Sequence, residues 1–236
     1  MPKAQREQGH ARVFDLAEQS LRELNQALHQ LTPGSNETAW EVLNPKGSHS
    51  VGVDQPISID VRGSVGYYCA GMNDGAAITV HGSAGPGVGE NMMSGSIVVK
   101  GDASQYAGAT GRGGLLVIEG NASSRCGISM KGIDIVVHGN IGHMSAFMAQ
   151  SGNLVVLGDA GDALGDSIYE ARLFVRGKVE SLGADCIAKE MRPEHIELLQ
   201  GLLDKAGVTD VEASEFKRYG SARKLYNFNI DNADAY

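Results

Sequence analysis

Residues 57–63 read ISIDVRG, and short apolar runs ending in glycine return as AITVHG (77–82), SIVVKG (96–101), LLVIEG (115–120), DIVVHG (134–139), NLVVLG (153–158) and RLFVRG (172–177). The closing glycines, Gly63, Gly82, Gly101, Gly120, Gly139, Gly158 and Gly177, stand 19 residues apart at every step. Equal intervals repeated along a chain mark a repeat architecture. The residues four and two before each glycine are Ile59 and Val61, Ile78 and Val80, Ile97 and Val99, Leu116 and Ile118, Ile135 and Val137, Leu154 and Val156, and Leu173 and Val175. A period of two puts both members of each pair on one strand face, and most are β-branched, which favours the extended state. The residue just before each glycine is Arg62, His81, Lys100, Glu119, His138, Leu157 or Arg176, a mostly polar column for the opposite face.

Nineteen residues are too few for a strand, a crossover helix and a return, which need about thirty. They suit one coil of a β-solenoid. Seven residues beyond each marker stand Ala70, Gly89, Gly108, Gly127, Ala146, Gly165 and Ala184, all small, as close-packed corners require. One position earlier, Cys69, Val88, Ala107, Cys126, Ser145, Leu164 and Gly183 read as interior fillers. Cys69 and Cys126 share that column three coils apart, roughly 14 Å at the usual strand spacing, too far for a disulfide.

The flanks differ in kind, and three regions result: 1–41 with a helix and lead-in, 42–188 with the β-helix, and 189–236 with a second helix and a tail. Ala17, Leu21, Leu24, Leu28 and Leu31 form a helical apolar stripe, with Asp15 and Glu18 placed as a capping box and Pro33-Gly34 as the stop. WEVLN and HSVGVD, between this helix and the first marker, read as irregular lead-in strands. After Arg192-Pro193, the residues Ile196, Leu199, Leu202 or Leu203, and Ala206 line a second helix that Gly207 ends. Both helices are expected to cover the exposed ends of the solenoid. The tail carries Phe216, Arg218, Tyr219, Arg223, Tyr226, Phe228 and Tyr236, aromatic and arginine anchors suited to a partner surface or to the chain's own solenoid.

Composition narrows the class further. Of 236 residues 32 are glycine, about twice the ordinary share, and only 6% are aromatic, so the core is narrow and aliphatic. A net charge of −8 without a basic run gives no footprint for nucleic acid or an anionic membrane. No apolar run of membrane-spanning length or signal-peptide pattern is present, and the three cysteines are odd in number, so a cytoplasmic chain is expected.

Residues arranged for reaction chemistry are few. Gly85-Pro-Gly87-Val-Gly89 is a loose match to a dinucleotide fingerprint, but Glu90 replaces the last glycine and a strand follows where a helix is needed. His81 and His138 lie three coils apart, beyond reach of one metal ion, and His49 and His143 are isolated. Cys126 follows Arg125, which favours a thiolate, yet its column is interior. Asp159, Asp162 and Asp166 could form an acidic rim for acid and base work, though short exposed turns commonly carry such residues.

The run from Gly63 to Gly127, GSVGYYCAGMNDGAAITVHGSAGPGVGENMMSGSIVVKGDASQYAGATGRGGLLVIEGNASSRCG, resembles the GxGxG domain at the carboxyl end of the glutamate synthase large chain. The likeness extends over about Val42 to Asp185, is shared with one subunit of formylmethanofuran dehydrogenase, and is greatest with the stand-alone small subunit of N-methylglutamate synthase. The resemblance implies an all-β solenoid, a right-handed β-helix with flanking helices, serving as a non-catalytic assembly subunit. It also implies that Gly66, Gly71, Gly75, Gly85, Gly89, Gly95, Gly108, Gly114, Gly127, Gly132, Gly142, Gly152, Gly161 and Gly165 have corner and packing roles. The expected partners are a glutamine amidotransferase-like chain, which carries the nucleophilic cysteine, and an FMN-dependent synthase-like chain, which carries FMN and an iron–sulfur cluster. No cofactor is expected on this chain, which begins MPK and lacks clustered cysteines. Two other readings stand beside this one: a β-helical enzyme with its site on one flank, and the corresponding subunit of a formylmethanofuran dehydrogenase or formyltransferase complex.

Overall fold

The computed structural model describes residues 12–31, 39–52 and 57–224, and every structural statement below concerns these. Eleven strands form one sheet: β1 (Arg12–Asp15), β2 (Ala39–Leu43), β3 (Ser58–Arg62), β4 (Ala77–Val80), β5 (Ser96–Val99), β6 (Leu115–Ile118), β7 (Lys131–Val137), β8 (Ser151–Val156), β9 (Arg172–Val175), β10 (Cys186–Lys189) and β11 (Lys217–Ser221). Two helices, α1 (Leu21–His29) and α2 (Pro193–Lys205), flank it. From β2 to β9 the strands run parallel and in sequence order, residues pairing with those 19 positions on, as Ile59 with Ile78, Ile78 with Ile97 and Ile97 with Leu116, except at Lys131, which pairs with Ser151 across a register shift. The result is a right-handed solenoid. Its interior is the ladder of Ile, Val and Leu pairs, all buried, with Cys69, Val88, Ala107, Cys126, Ser145 and Leu164 closing the far side.

A second side of each coil is held by single parallel bridges, Val65 to Ala84 to Ala103 to Ala122 to Ile141 to Ala160 to Val179. The third side is built from left-handed residues. In six consecutive coils the positions five, seven and nine past the marker all have positive φ, including Tyr68, Ala70 and Met72, and Arg125, Gly127 and Ser129. Only the central column is uniformly Gly or Ala there, and the conformation costs about 1–2 kcal/mol at each non-glycine residue of the three columns. Hydrogen bonding between coils offsets that cost. Tyr68 N–H donates forward to Pro86 O and Met72 N–H to Glu90 O, while Gly89 N–H donates back to Cys69 O.

The amino-terminal flank differs from expectation. WEVL is not an irregular lead-in but a regular strand of the ladder, since Trp40 pairs with Ile59 and Val42 with Val61 in the common register. Asn44 occupies the marker position and adopts φ 52, a left-handed conformation that asparagine tolerates, so a search on glycine passes over this strand. In HSVGVD, residues 49–52 form no strand, and 53–54 lie outside the described residues. The helix is shorter than the apolar stripe, because Ser20 and Glu23, not Asp15 and Glu18, make the capping box. Residues 12–15 instead form β1 beside β2, with Phe14 stacked on Trp40, and Asp15 accepts the N–H of Ala17 and the amide of Asn44. Leu24 and Leu28 plug the open end of the interior.

At the other end α2 spans the expected residues, with Gly207 at φ +75 beyond it, but it does not cap the end. It lies flat on the outer sheet face, where Leu199, Leu202 and Leu203 pack with Val136, Val155, Phe174 and Phe216 in a second core. Ile196 is left exposed. The cause is a drift in one column: three residues before the marker the chain carries Asp60 and Thr79 in early coils but Val136, Val155 and Phe174 in late ones. The end itself is closed by β11, which returns antiparallel and inserts between β9 and β10.

Candidate functional site

Most of the reactive candidates are buried in the interior or engaged in bonds between coils. The three thiols are interior, and burial pushes Cys69, Cys126 and Cys186 up to about 12 from the usual 9.0, the wrong direction for a nucleophile. Cys69 and Cys126 sit three coils apart in one column, so the cysteines present do not fit an iron–sulfur cluster. The backbone N–H groups of Gly85, Gly87 and Gly89 are donated to Val65 O, Gln105 O and Cys69 O, leaving none of the three to cradle a phosphate.

The acidic turns are equally occupied. Asp159 accepts the N–H of Lys178 at 2.7 Å, Asp166 accepts from Ser167 Oγ and Ala184 N–H, and Asp162 pairs with His143 at 2.9 Å. Among the described residues no three His, Cys, Asp or Glu side chains are grouped to hold a metal ion. His138 is half-buried and its Nε2 has no hydrogen-bond partner among described residues; burial, partly countered by Glu119 and Asp210, holds its pKa below the usual imidazole value.

The glycines divide into two structural groups. Gly75, Gly89, Gly95, Gly108, Gly114, Gly127, Gly132, Gly152 and Gly165 have positive φ, whereas Gly66, Gly71, Gly85, Gly142 and Gly161 lack it and instead sit where a side chain would strike a neighbour. Gly85, for example, lies directly on the backbone of Gly66 one coil below.

Of the tail residues, Phe216 and Tyr219 are buried against this chain's own coils. Arg218 stands on the outer face of β11, its Nε donating to Glu190 O at 2.9 Å, and Arg223 lines a small cleft beside it. Tyr226, Phe228 and Tyr236 lie outside the described residues.

Among the described residues, what remains open is the outer sheet face of the early coils. There α2 does not reach, and the columns carry ion pairs running across strands: Arg62 with Glu41 at 2.6 Å, His81 with Asp60 at 2.5 Å, and Lys100 with Glu119 at 2.5 Å. The face carries both signs of charge and stands on the buried interior ladder. Two features escaped the sequence reading: this division of the outer face, legible in the Asp60-to-Phe174 drift, and a column of Ser, Asp and Asn one residue past the marker, which hydrogen-bonds from coil to coil.

No helix among the described residues is long and apolar enough to cross a membrane. A model of the GXGXG motif family matches residues 41–214, the solenoid together with α2. Protein GlxC of Rhizobium meliloti (strain 1021) is 76% identical over 226 residues, which is 95% of this chain and 99% of that relative. The chain belongs to the GXGXG-motif family of the glutamate-synthase-like proteins.

Proposed function

We propose that this chain is an assembly subunit of a glutamate-synthase-like complex, holding catalytic chains without supplying a reaction centre of its own. The observation that supports this is the commitment of its reactive groups: thiols in the core, glycine N–H groups and turn carboxylates in bonds between coils. A solenoid so constrained is a rigid spacer. Its free outer face, with Glu41, Asp60, Arg62, His81, Lys100 and Glu119, is the surface offered to partners.

In this proposal the partners are a glutamine amidotransferase-like chain and an FMN-dependent synthase-like chain, with FMN and an iron–sulfur cluster on the latter. The reaction of the complex is formation of N-methylglutamate from methylamine and glutamate. Native purification from cell extract, followed by mass spectrometry and an absorbance spectrum, tests it. Co-purification with both chains and a flavin spectrum is the expected result. A pterin metalloprotein in their place, or turnover by the purified chain alone, overturns it.

A further inference from the structure

In a chain of net charge −8, positive charge collects at one place. Lys189 of β10 and Arg218 of β11 are paired directly across the strands, and Arg218 in turn faces Phe174 of β9, two residues from Arg172. Like charges placed opposite each other in a sheet destabilise it. Arg172, Lys189 and Arg218 line one small cleft with Arg223, and among the described residues Glu170 is the only acidic one lining it.

Acidic neighbours compensate Lys189 and Arg218 only in part: Glu194 and Glu190 act on Arg218, and Asp185 on Lys189. Arg218 Nε and Lys189 Nζ donate to backbone carbonyls, of Glu190 at 2.9 Å and Ser221 at 3.1 Å. Among the described residues no carboxylate lies within ion-pair distance of Arg172, Lys189 or Arg218. Asp185, the nearest acidic influence on Lys189, is engaged with Ser221 Oγ and the N–H of Lys224. Burial comes first and the neighbouring arginines second in holding both Lys189 and Arg218 below their usual pKa values.

Gly220 lines the cleft. Strand alternation puts position 220 on the same outer face as Arg218, and a Cβ there would meet only Ala171 O and Lys189 Cγ, both at 3.7 Å. The opening is small, so it suits one charged group and not a whole metabolite.

We propose that this cleft is an anion site, binding a single carboxylate or phosphate group between Arg172, Lys189 and Arg218. Such a group comes either from a dissolved anion or from an acidic stretch of the chain beyond Lys224, where Asp231 and Asp234 occur without any basic residue.

The test is titration of the full chain with inorganic phosphate at low ionic strength, followed by calorimetry, beside three variants. Arg172→Gln removes a charge; Gly220→Val keeps every charge and fills the space. Asp231→Asn/Asp234→Asn removes the internal competitor. Saturable binding to the unaltered chain, roughly tenfold weaker in both Arg172→Gln and Gly220→Val, supports a site for a dissolved anion. Binding seen only after Asp231→Asn/Asp234→Asn supports the site with the chain's own carboxylate as occupant. Absence of saturable binding in all four chains, or binding unaffected by Gly220→Val, overturns the proposal. Melting curves of the variants without phosphate separate loss of binding from loss of fold.

Discussion

Asn121 Oδ1 accepts the backbone N–H of Asn140 at 2.9 Å, one coil further on, and Asn140 Oδ1 does the same for Asp159 at 2.7 Å. The chain of bonds runs farther in both directions, from Ser64 Oγ to Ser83 N–H, Ser83 Oγ to Asp102 N–H, Asp102 Oδ1 to Asn121 N–H, and Asp159 Oδ1 to Lys178 N–H. Each side chain satisfies the backbone donor directly above it at the turn leaving the strand, where the sheet ladder has already ended. The column thus carries the 19-residue register around the corner.

Asn140→Ala removes the acceptor for Asp159 N–H and leaves the backbone N–H of position 140 still donating to Asn121 Oδ1. Because the site is solvent-exposed, the freed donor finds water, and the expected loss is about 0.5–1.5 kcal/mol. Asn140→Asp keeps an acceptor oxygen and is expected to lose less. Urea titration followed by circular dichroism measures both; equal losses would mean that the ladder bond contributes nothing.

Gly127 and Gly201 are expected to respond to added side chains with opposite sign. Gly127 has φ +69 and a Cβ there would stand 3.3 Å from Met130 Sδ, so Gly127→Val forces a β-branched residue into a left-handed corner and costs about 1–3 kcal/mol. Gly201 is in the middle of α2 with nothing within 4 Å of its Cβ position, so Gly201→Ala stabilises by about 0.5–1 kcal/mol. Melting temperatures of the two variants decide both at once.

The solenoid was legible because its interior obeys two strict periods, 2 along a strand and 19 between coils, and Ile59, Ile78 and Ile97 announce both. The helices were legible as apolar stripes, and α1 plugs an end as expected, but the seat of α2 was not legible. Whether α2 plugs the end or lies on the sheet depends on the outward column, and Val136, Val155 and Phe174 look like ordinary strand residues until the inward pair is set aside. The strand β2 escaped because Asn44 replaces glycine, and the return of β11 escaped because KRYGS has no periodicity of its own. The cationic cleft is a product of that return: Lys189 and Arg218 are far apart in sequence and meet only through β11.

Phe174→Ala tests the seat of α2. The ring is fully buried between the sheet and the leucines of the helix, and its removal is expected to cost about 3–5 kcal/mol. Hydrogen exchange should show α2 amides losing protection while the early coils keep theirs, since repeats unfold through local units. Uniform loss along the whole chain would contradict the two-core arrangement.

The buried thiols set a limit at alkaline pH. Unfolded cysteines ionise near 9.0 and Cys69 and Cys126 in the folded chain near 12, so between those values the unfolded chain gives up protons that the folded chain keeps. Stability is therefore unaffected by these groups below about 9 and falls as pH rises from there toward 12. Cys69→Ala/Cys126→Ala should flatten the decline measured by urea titration across that range, although its stability at pH 8 is lower from the lost volume. An unchanged slope would remove the thiols as its cause.

Charge reversal on the open sheet face separates binding from folding. Lys100 and Glu119 are partly exposed, so their pair contributes at most about 1 kcal/mol to stability, and Lys100→Glu is expected to lower the melting temperature only slightly. The same reversal on a partner surface places like charges together, which costs several times more in association. Recovery of partner chains with tagged Lys100→Glu should therefore drop sharply at low salt while the isolated chain melts almost as before. Lys178→Glu, at an exposed corner away from this sheet face, serves as the matched control and should leave recovery intact. Equal recovery with both variants would place the partner elsewhere on the solenoid; a large fall in the melting temperature of Lys100→Glu would show that the face is needed by the fold itself.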